Sequence, residues 1–219
     1  MESISTPEEG RVLLVDKPLH WTSFDVVNKL RYKLKMKKIG HAGTLDPLAT
    51  GLLIICTGKF TKKIDEYQGQ EKEYTGEFVI GQTTPSHDLE TEVSPSVPIA
   101  HLTEEVIHAA AQKLTGILQQ VPPLHSAIKV DGKRAYKFAR KGKEVELKPR
   151  EVVVSVFEIT LIIPPIIGFR IVCSKGTYIR SLGRDFGNDL GVGAYLRSLC
   201  RTRIGNFQLT EAKTLQEIE

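Results

Sequence analysis

One carboxylate stands apart in the stretch GHAGTLDPLATGLL, residues 40–53. Asp46 lies between a Gly-Thr turn and Pro47, and no other acid occurs between Asp25 and Asp65. Over the same interval the chain carries Lys29, Arg31, Lys33, Lys35, Lys37, Lys38, Lys59, Lys62 and Lys63. An acid isolated in this way, on a loop of small residues, is a candidate for a chemical role, such as one member of a glycosidase pair. The competing reading is a turn carboxylate that caps its own backbone, the common fate of aspartate in an Asp-Pro pair. Gly40, Gly43 and Gly51 around it, together with the basic flanks, favour the chemical reading. A glycosidase would need a second carboxylate, and none lies close by in sequence.

A second stretch, CSKGTYIRSLGRDFG (residues 173–187), reads as a strand end, a Gly-Thr turn and a helix capped by Thr177. Tyr178 and Arg180 then fall in the first turn. A cation at a helix N-terminus opposes the macrodipole, so a buried carboxylate partner is expected for Arg180. A solvent-facing arginine is the alternative. Tyr74, in KEYTGEF, sits on an alternating strand where a core or cross-strand place is the default. GLLIICTGKFTK fails as a phosphate loop, because six residues separate Gly51 from Gly58 and Phe60 replaces the required Ser or Thr. No G-x-G-x-x-G occurs and the six histidines lack zinc-ligand spacing, so neither a nucleotide cofactor nor a metal is indicated.

These residues need elements to hold them. RVLLVDKP reads as a strand, and WTSFDVVNKLRYKL as a helix capped by Thr22 or Ser23, with Val26, Val27, Leu30 and Leu34 as its apolar stripe. GLLIICTG reads as a buried strand after the Asp46 loop, and EYTGEFVIG as an alternating one. QTTPSHDLETEVSPSVP is a long loop. TEEVIHAAAQKLTG is a helix from a Thr103 cap to a stop at Gly116. Asp131-Gly132 marks a hairpin. EVVVSVFEITLII and GFRIVCS are strands joined through Pro164, Pro165 and Gly168. The 173–187 helix should close at Gly191, followed by a strand from Ile204 to Leu209 and a helix after Thr210. The pattern predicts an α+β domain around a mixed, mostly antiparallel sheet.

The net charge is only +4, but the bases gather at 29–38, at 133–150 (KRAYKFARKGKEVELKPR) and at 197–203 (RSLCRTR). Such segregation predicts a basic face for a polyanion, against the alternative of three separate solvated surfaces. Cys56, Cys173 and Cys200 are odd in number and far apart, which predicts reduced thiols and a cytoplasmic protein. The acidic start MESISTPEEG is no secretory signal, and the apolar runs are too short to span a membrane.

Together these segments resemble the TruB family of tRNA pseudouridine synthases. GHAGTLDPLATGLL is similar to the family's catalytic loop, VDKPLHWTSFDVV to its opening motif, KEYTGEFVIGQTTPSHD to its second strand and loop, and CSKGTYIRSLGRDFG to its late active-site motif. QVPPLHSAIKVDGKRAYKFARKG matches the stretch between, and the likeness runs over roughly residues 11–209. It implies the pseudouridine synthase fold, a central mixed sheet flanked by helices and loops with the active site in a cleft across it.

The resemblance makes Asp46 the catalytic aspartate and Arg180 its partner. It gives Tyr74 the stacking of the flipped uracil, and His41 the holding of that base out of the RNA loop. Tyr178 lies beside Arg180, Leu199 lines the base pocket, Asp88 is on the substrate side, and Lys17 helps shape the site. The implied reaction breaks the C1′–N1 bond of uridine, turns the base and forms C1′–C5, with no cofactor. The implied substrate is the T stem-loop of tRNA, modified at position 55, by a monomer without guide RNA. Residues 1–10 are expected to be a flexible arm and 11–219 the catalytic domain alone, without the C-terminal PUA-type module common in bacterial members. Two other readings use the same scaffold: a non-catalytic tRNA-binding or folding protein, and the catalytic subunit of an RNA-guided complex.

Overall fold

The computed structural model describes residues 10–126 and 147–219, and the backbone of 129–130 and 133–134. The expected N-terminal arm therefore lies almost wholly outside the described residues, as do the side chains of the 133–146 basic run and the Asp131-Gly132 turn. The strands flanking that turn, Lys129–Val130 and Lys133–Arg134, do pair antiparallel.

The chain divides into two compact units, residues 1–75 with 198–219, and residues 76–197. The first holds β1 (Val12–Lys17), α1 (Ser23–Lys33), β2 (Ile39–Ala42), β3 (Ala49–Thr57), a 3-10 turn over Gly58–Lys63 and α2 (Ile64–Gly69). β4 (Lys72–Ile80) starts here and continues into the second unit. β3 is its central strand. β1 and β2 lie antiparallel to β3, while Leu199–Arg201 run parallel to Ala49–Gly51.

The continuous apolar run of β3 follows from burial on both faces. Side chains alternate along a strand. Leu53 and Ile55 pack with Val26, Val27 and Leu30 of α1, while Leu52, Ile54 and Cys56 pack with Tyr67 of α2. α1 starts as expected, and Thr22 is its cap: the hydroxyl accepts from the Asp25 amide at 3.0 Å and the Asp25 carboxylate accepts from the Thr22 amide at 2.8 Å.

The second unit holds the rest of β4, α3 (Glu104–Lys113), β5 (Gly116–Gln120), the short β6 and β7 named above, β8 (Arg150–Ile163), β9 (Ile166–Cys173), α4 (Ile179–Asp189) and the start of β10 (Ala194–Ile204). β5, β8 and β9 are joined by antiparallel pairings. Phe78 stacks on Phe169 at 4.2 Å between ring centroids, with Phe186 of α4 at 5.9 Å. Gly183 admits that ring: a Cβ there would lie 2.6 Å from the Phe78 Cε1. Among the described residues nine strands belong to one mixed sheet, and most of the described pairings are antiparallel, as expected.

Several local expectations need correction. His41 is on a strand, β2, not in an open loop. Gly116 opens β5 rather than stopping α3, which ends at Lys113. Gly168 is inside β9, opposite Leu161, not in the Pro164-Pro165 turn. The last long strand begins at Ala194, so RSLCRTR is strand, and Ile204 turns at Gly205 into the short β11 (Phe207–Gln208). The final helix is a 3-10 turn over Leu209–Glu211. Among the described residues no helix is long and apolar enough to cross a membrane.

Candidate functional site

In the first unit the Asp46 loop is fastened on both sides of the acid. Ser23, the first residue of α1, accepts from the Leu45 amide at 2.8 Å and donates to the Leu45 carbonyl at 3.1 Å. The His20 amide donates to the Pro47 carbonyl at 2.8 Å, and the Ala49 amide to the Asp46 carbonyl at 3.1 Å. Buried backbone groups must find partners, and here they find them in ways that leave the loop little freedom.

Beneath the loop lies a residue that the sequence pattern did not reveal. Arg201 belongs to the RSLCRTR run that was expected to present its bases on the surface, yet it is only 1% exposed. Its Nε donates to the Leu52 carbonyl at 2.8 Å and its Nη2 to the Gly43 carbonyl at 3.0 Å. Gly51 makes room for it: φ is +96°, and a Cβ would lie 2.5 Å from the Arg201 carbonyl oxygen. Two glycines flanking the acid, at 43 and 51, were the available signal. They point to something large against the backbone, but not to which residue.

Lys17 ends β1 opposite Gly51 and is fully buried, donating to the carbonyls of Pro18 at 2.9 Å and Trp21 at 2.6 Å. Burial pulls its pKa down to about 8, the charge of Asp46 works against that fall, and Arg201 adds to it. His41 is half-buried on β2, opposite Ile55, and its Nδ1 has no hydrogen-bond partner among the described residues. Burial, and then Arg201, lower its pKa, so the imidazole is neutral near pH 7. Leu199 pairs with Ala49, three residues after the acid. Tyr74 is 8% exposed on β4. His41, Asp46, Leu199 and Lys17 thus gather around β3 and the loop that feeds it.

The second unit holds the other expected residues. Arg180 of α4 and Asp88 of the long loop are 4% and 3% exposed, with Nη1 to Oδ2 at 3.4 Å. The guanidinium also donates to the carbonyls of Ser86 at 3.2 Å and His125 at 3.0 Å. This provides a buried carboxylate for Arg180, as its position near a helix N-terminus demands. The acid in this unit is Asp88; Asp46 belongs to the other unit.

Tyr178, not Thr177, caps α4, and the expected side-chain cap is absent. Gln120 holds the capping residue itself, accepting from the Tyr178 amide at 2.8 Å and donating to the Tyr178 carbonyl at 3.2 Å. Thr177 instead donates to the Ser174 carbonyl at 3.0 Å. His87, next to Asp88, has φ +62°. Its pKa falls to about 4, chiefly through burial and then through Arg184 and Arg180.

The geometry can therefore hold an acid rigidly beside buried cations, and a neutral histidine with an unfilled ring nitrogen. The family model described as "TruB family pseudouridylate synthase (N terminal domain)" matches residues 31–179. A tRNA pseudouridine synthase B of Flavobacterium johnsoniae is 56% identical over 217 residues, covering 94% of this chain and 95% of that one. One from Parabacteroides distasonis is 52% identical over 216 residues, covering 96% and 92%. Among solved structures, a chain of a Cbf5-Nop10-Gar1 complex is 29% identical with a TM-score of 0.74. The likeness covers 99% of this chain and 58% of that one, so this chain spans little more than half of it. The chain belongs to the TruB family of pseudouridylate synthases and is an RNA pseudouridine synthase, an isomerase.

Proposed function

We propose that this chain isomerises uridine to pseudouridine in tRNA, at position 55 of the T loop, with residues 11–219 as its catalytic domain. The observation that carries this reading is the clamped Asp46 loop. Its neighbouring amides and carbonyls are tied to Ser23 and His20, and its carboxylate acts electrostatically on the buried Lys17. Fixed charge costs little reorganisation when cationic character develops at C1′. Asp46 is the catalytic group at the ribose, and Arg180 is its counter-cation.

A base in a folded loop cannot be reached until it is flipped out. Tyr74 then supplies an aromatic face for the uracil, and Leu199 an apolar wall. Tyr178 and Asp88 keep Arg180 in place from their own unit. His41 helps hold the target base out of the RNA loop, a role that suits a half-buried neutral ring whose Nδ1 has no partner among the described residues. No atoms enter or leave in the isomerisation, so the chemistry calls for no cofactor. The relatives named tRNA pseudouridine synthase B support tRNA as the substrate. We place the reaction in the cytoplasm, without guide RNA.

The test is an unmodified tRNA transcript incubated with the protein alone, with pseudouridine mapped by chemical labelling and primer extension. One new stop at the T-loop uridine is expected. Asp46→Ala should abolish it while tRNA affinity stays within a few-fold. Loss of binding together with activity would make Asp46 structural.

A further inference from the structure

The outer face of α1 is not used by this reading. Its inner residues Val26, Val27 and Leu30 face the core. Its outer side presents two large aromatic rings to solvent, Phe24 at 58% and Tyr32 at 87% exposure. They are eight residues apart, so the rings lie on the outer side of the helix about 12 Å apart along its axis and about 80° apart around it. Asn28 sits midway between them, and its carboxamide oxygen accepts from Arg31 at 2.7 Å, holding that guanidinium on the helix surface.

The surroundings are cationic. Lys29, Lys35, Lys37 and Lys38 are all exposed. The fold adds to this charge, because the Gly58 amide donates to the Lys38 carbonyl at 2.8 Å and so brings Lys59, next in the chain, near Lys38. Lys33 is the exception, its ammonium spent on the carbonyls of Leu215 and Gln216 at 3.2 and 2.9 Å. The one acid on α1, Asp25, is engaged at the cap with Thr22. A single exposed aromatic is ordinary on a protein surface. Two on one face, among cations and near no free acid of the same helix, match a surface that stacks bases and neutralises phosphates.

We infer that the outer face of α1 is a second RNA-contact surface, on which Phe24 and Tyr32 stack unpaired nucleotides of the substrate while Arg31, Lys29, Lys35, Lys37 and Lys38 hold its phosphates. The face begins beside the candidate active loop, since Phe24 follows the Ser23 that clamps Leu45. It runs outward from there, so it would grip RNA lying beyond the target nucleotide. This rests on the reading of the protein as a tRNA-modifying enzyme only for the choice of RNA.

The test uses the full chain and an unmodified tRNA transcript. Wild type, Phe24→Ala/Tyr32→Ala and Tyr32→Phe are compared in equilibrium binding by fluorescence anisotropy and in single-site kinetics, with thermal melting as a check on folding. The double variant should melt like wild type, bind at least about thirtyfold more weakly and show raised KM at unchanged kcat, from the usual value of base–aromatic stacking at two rings. Tyr32→Phe keeps the ring and should bind like wild type. Replacing Lys35, Lys37 and Lys38 by alanine should lower the salt slope of log Kd by about 0.7–0.9 for each phosphate no longer neutralised. A photo-crosslinking residue at 32 should capture tRNA. Unchanged affinity in the double variant, with no crosslink to RNA, would overturn the proposal, as would a crosslink to protein alone. If wild type bound tRNA but did not isomerise it, the proposed function would fail while the binding comparison still decided this surface.

Discussion

The two units each bury an arginine on backbone carbonyls, and in the second unit a carboxylate faces it as well. Arg201 gives its hydrogen bonds to neutral backbone carbonyls, those of Leu52 and Gly43. Arg180 faces a carboxylate, Asp88, 3.4 Å away and equally buried. A guanidinium on carbonyls works as a splint, because its rigid fork ties two backbone segments at fixed spacing. A guanidinium on a carboxylate couples two charges whose burial is tolerable only while both are present. The first arrangement stiffens the loop that carries Asp46. The second binds a long, strand-free loop to a helix through charge.

The sharpest way to break this contrast is Asp88→Ala. Removing the acid that faces Arg180 should cost about 3–5 kcal/mol in chemical denaturation, the usual penalty for breaking a buried pair from one side. A loss under about 1 kcal/mol would mean that other groups neutralise Arg180. Arg201→Met keeps bulk but leaves two carbonyls unsatisfied, and should cost about 2–3 kcal/mol. Because the splint acts on the Asp46 loop, kcat should fall further than tRNA affinity.

Ser23→Ala removes both bonds to Leu45 and should cost about 1–2 kcal/mol, again with kcat falling while KM holds. Equal loss in kcat and binding would show that the clamp shapes the RNA surface rather than the acid.

The comparison extends to pH dependence, where the effects fall in separate windows for the two units. His87 titrates near 4 in the folded chain against an ordinary 6.5. The unfolded chain takes up the proton first, so stability from this group is held above about 6.5 and lost as pH falls toward 4. His87→Asn, which tolerates the positive φ, should flatten that acid limb. Lys17 titrates near 8 against 10.5. The unfolded chain keeps the proton longer, so stability rises as pH climbs from about 8 to 10.5. Lys17→Met should remove that rise. Melting temperature against pH checks both.

What was legible in the sequence was what short stretches encode. Thr22 and Asp25 three residues apart announced the start of α1, and the unbroken apolar run at Leu52–Cys56 announced a strand covered on both faces. Asp46, framed by glycines and bases, was legible as a site for the same reason, since a turn's needs are written within a few residues. The helix start at Tyr178 was not, because the residue that holds its backbone, Gln120, is 58 residues away. β2 was hidden because a four-residue strand is defined by its pairing with β3 and not by its own pattern. Arg201 was misread as a surface base, since charge in a sequence carries no record of burial. The sequence by itself determined which residues are candidates for chemistry and many of the local elements that carry them. Only the tertiary structure decided what holds those residues still, because carbonyl acceptors, buried cations and the room left by Gly51 exist only once distant segments have met.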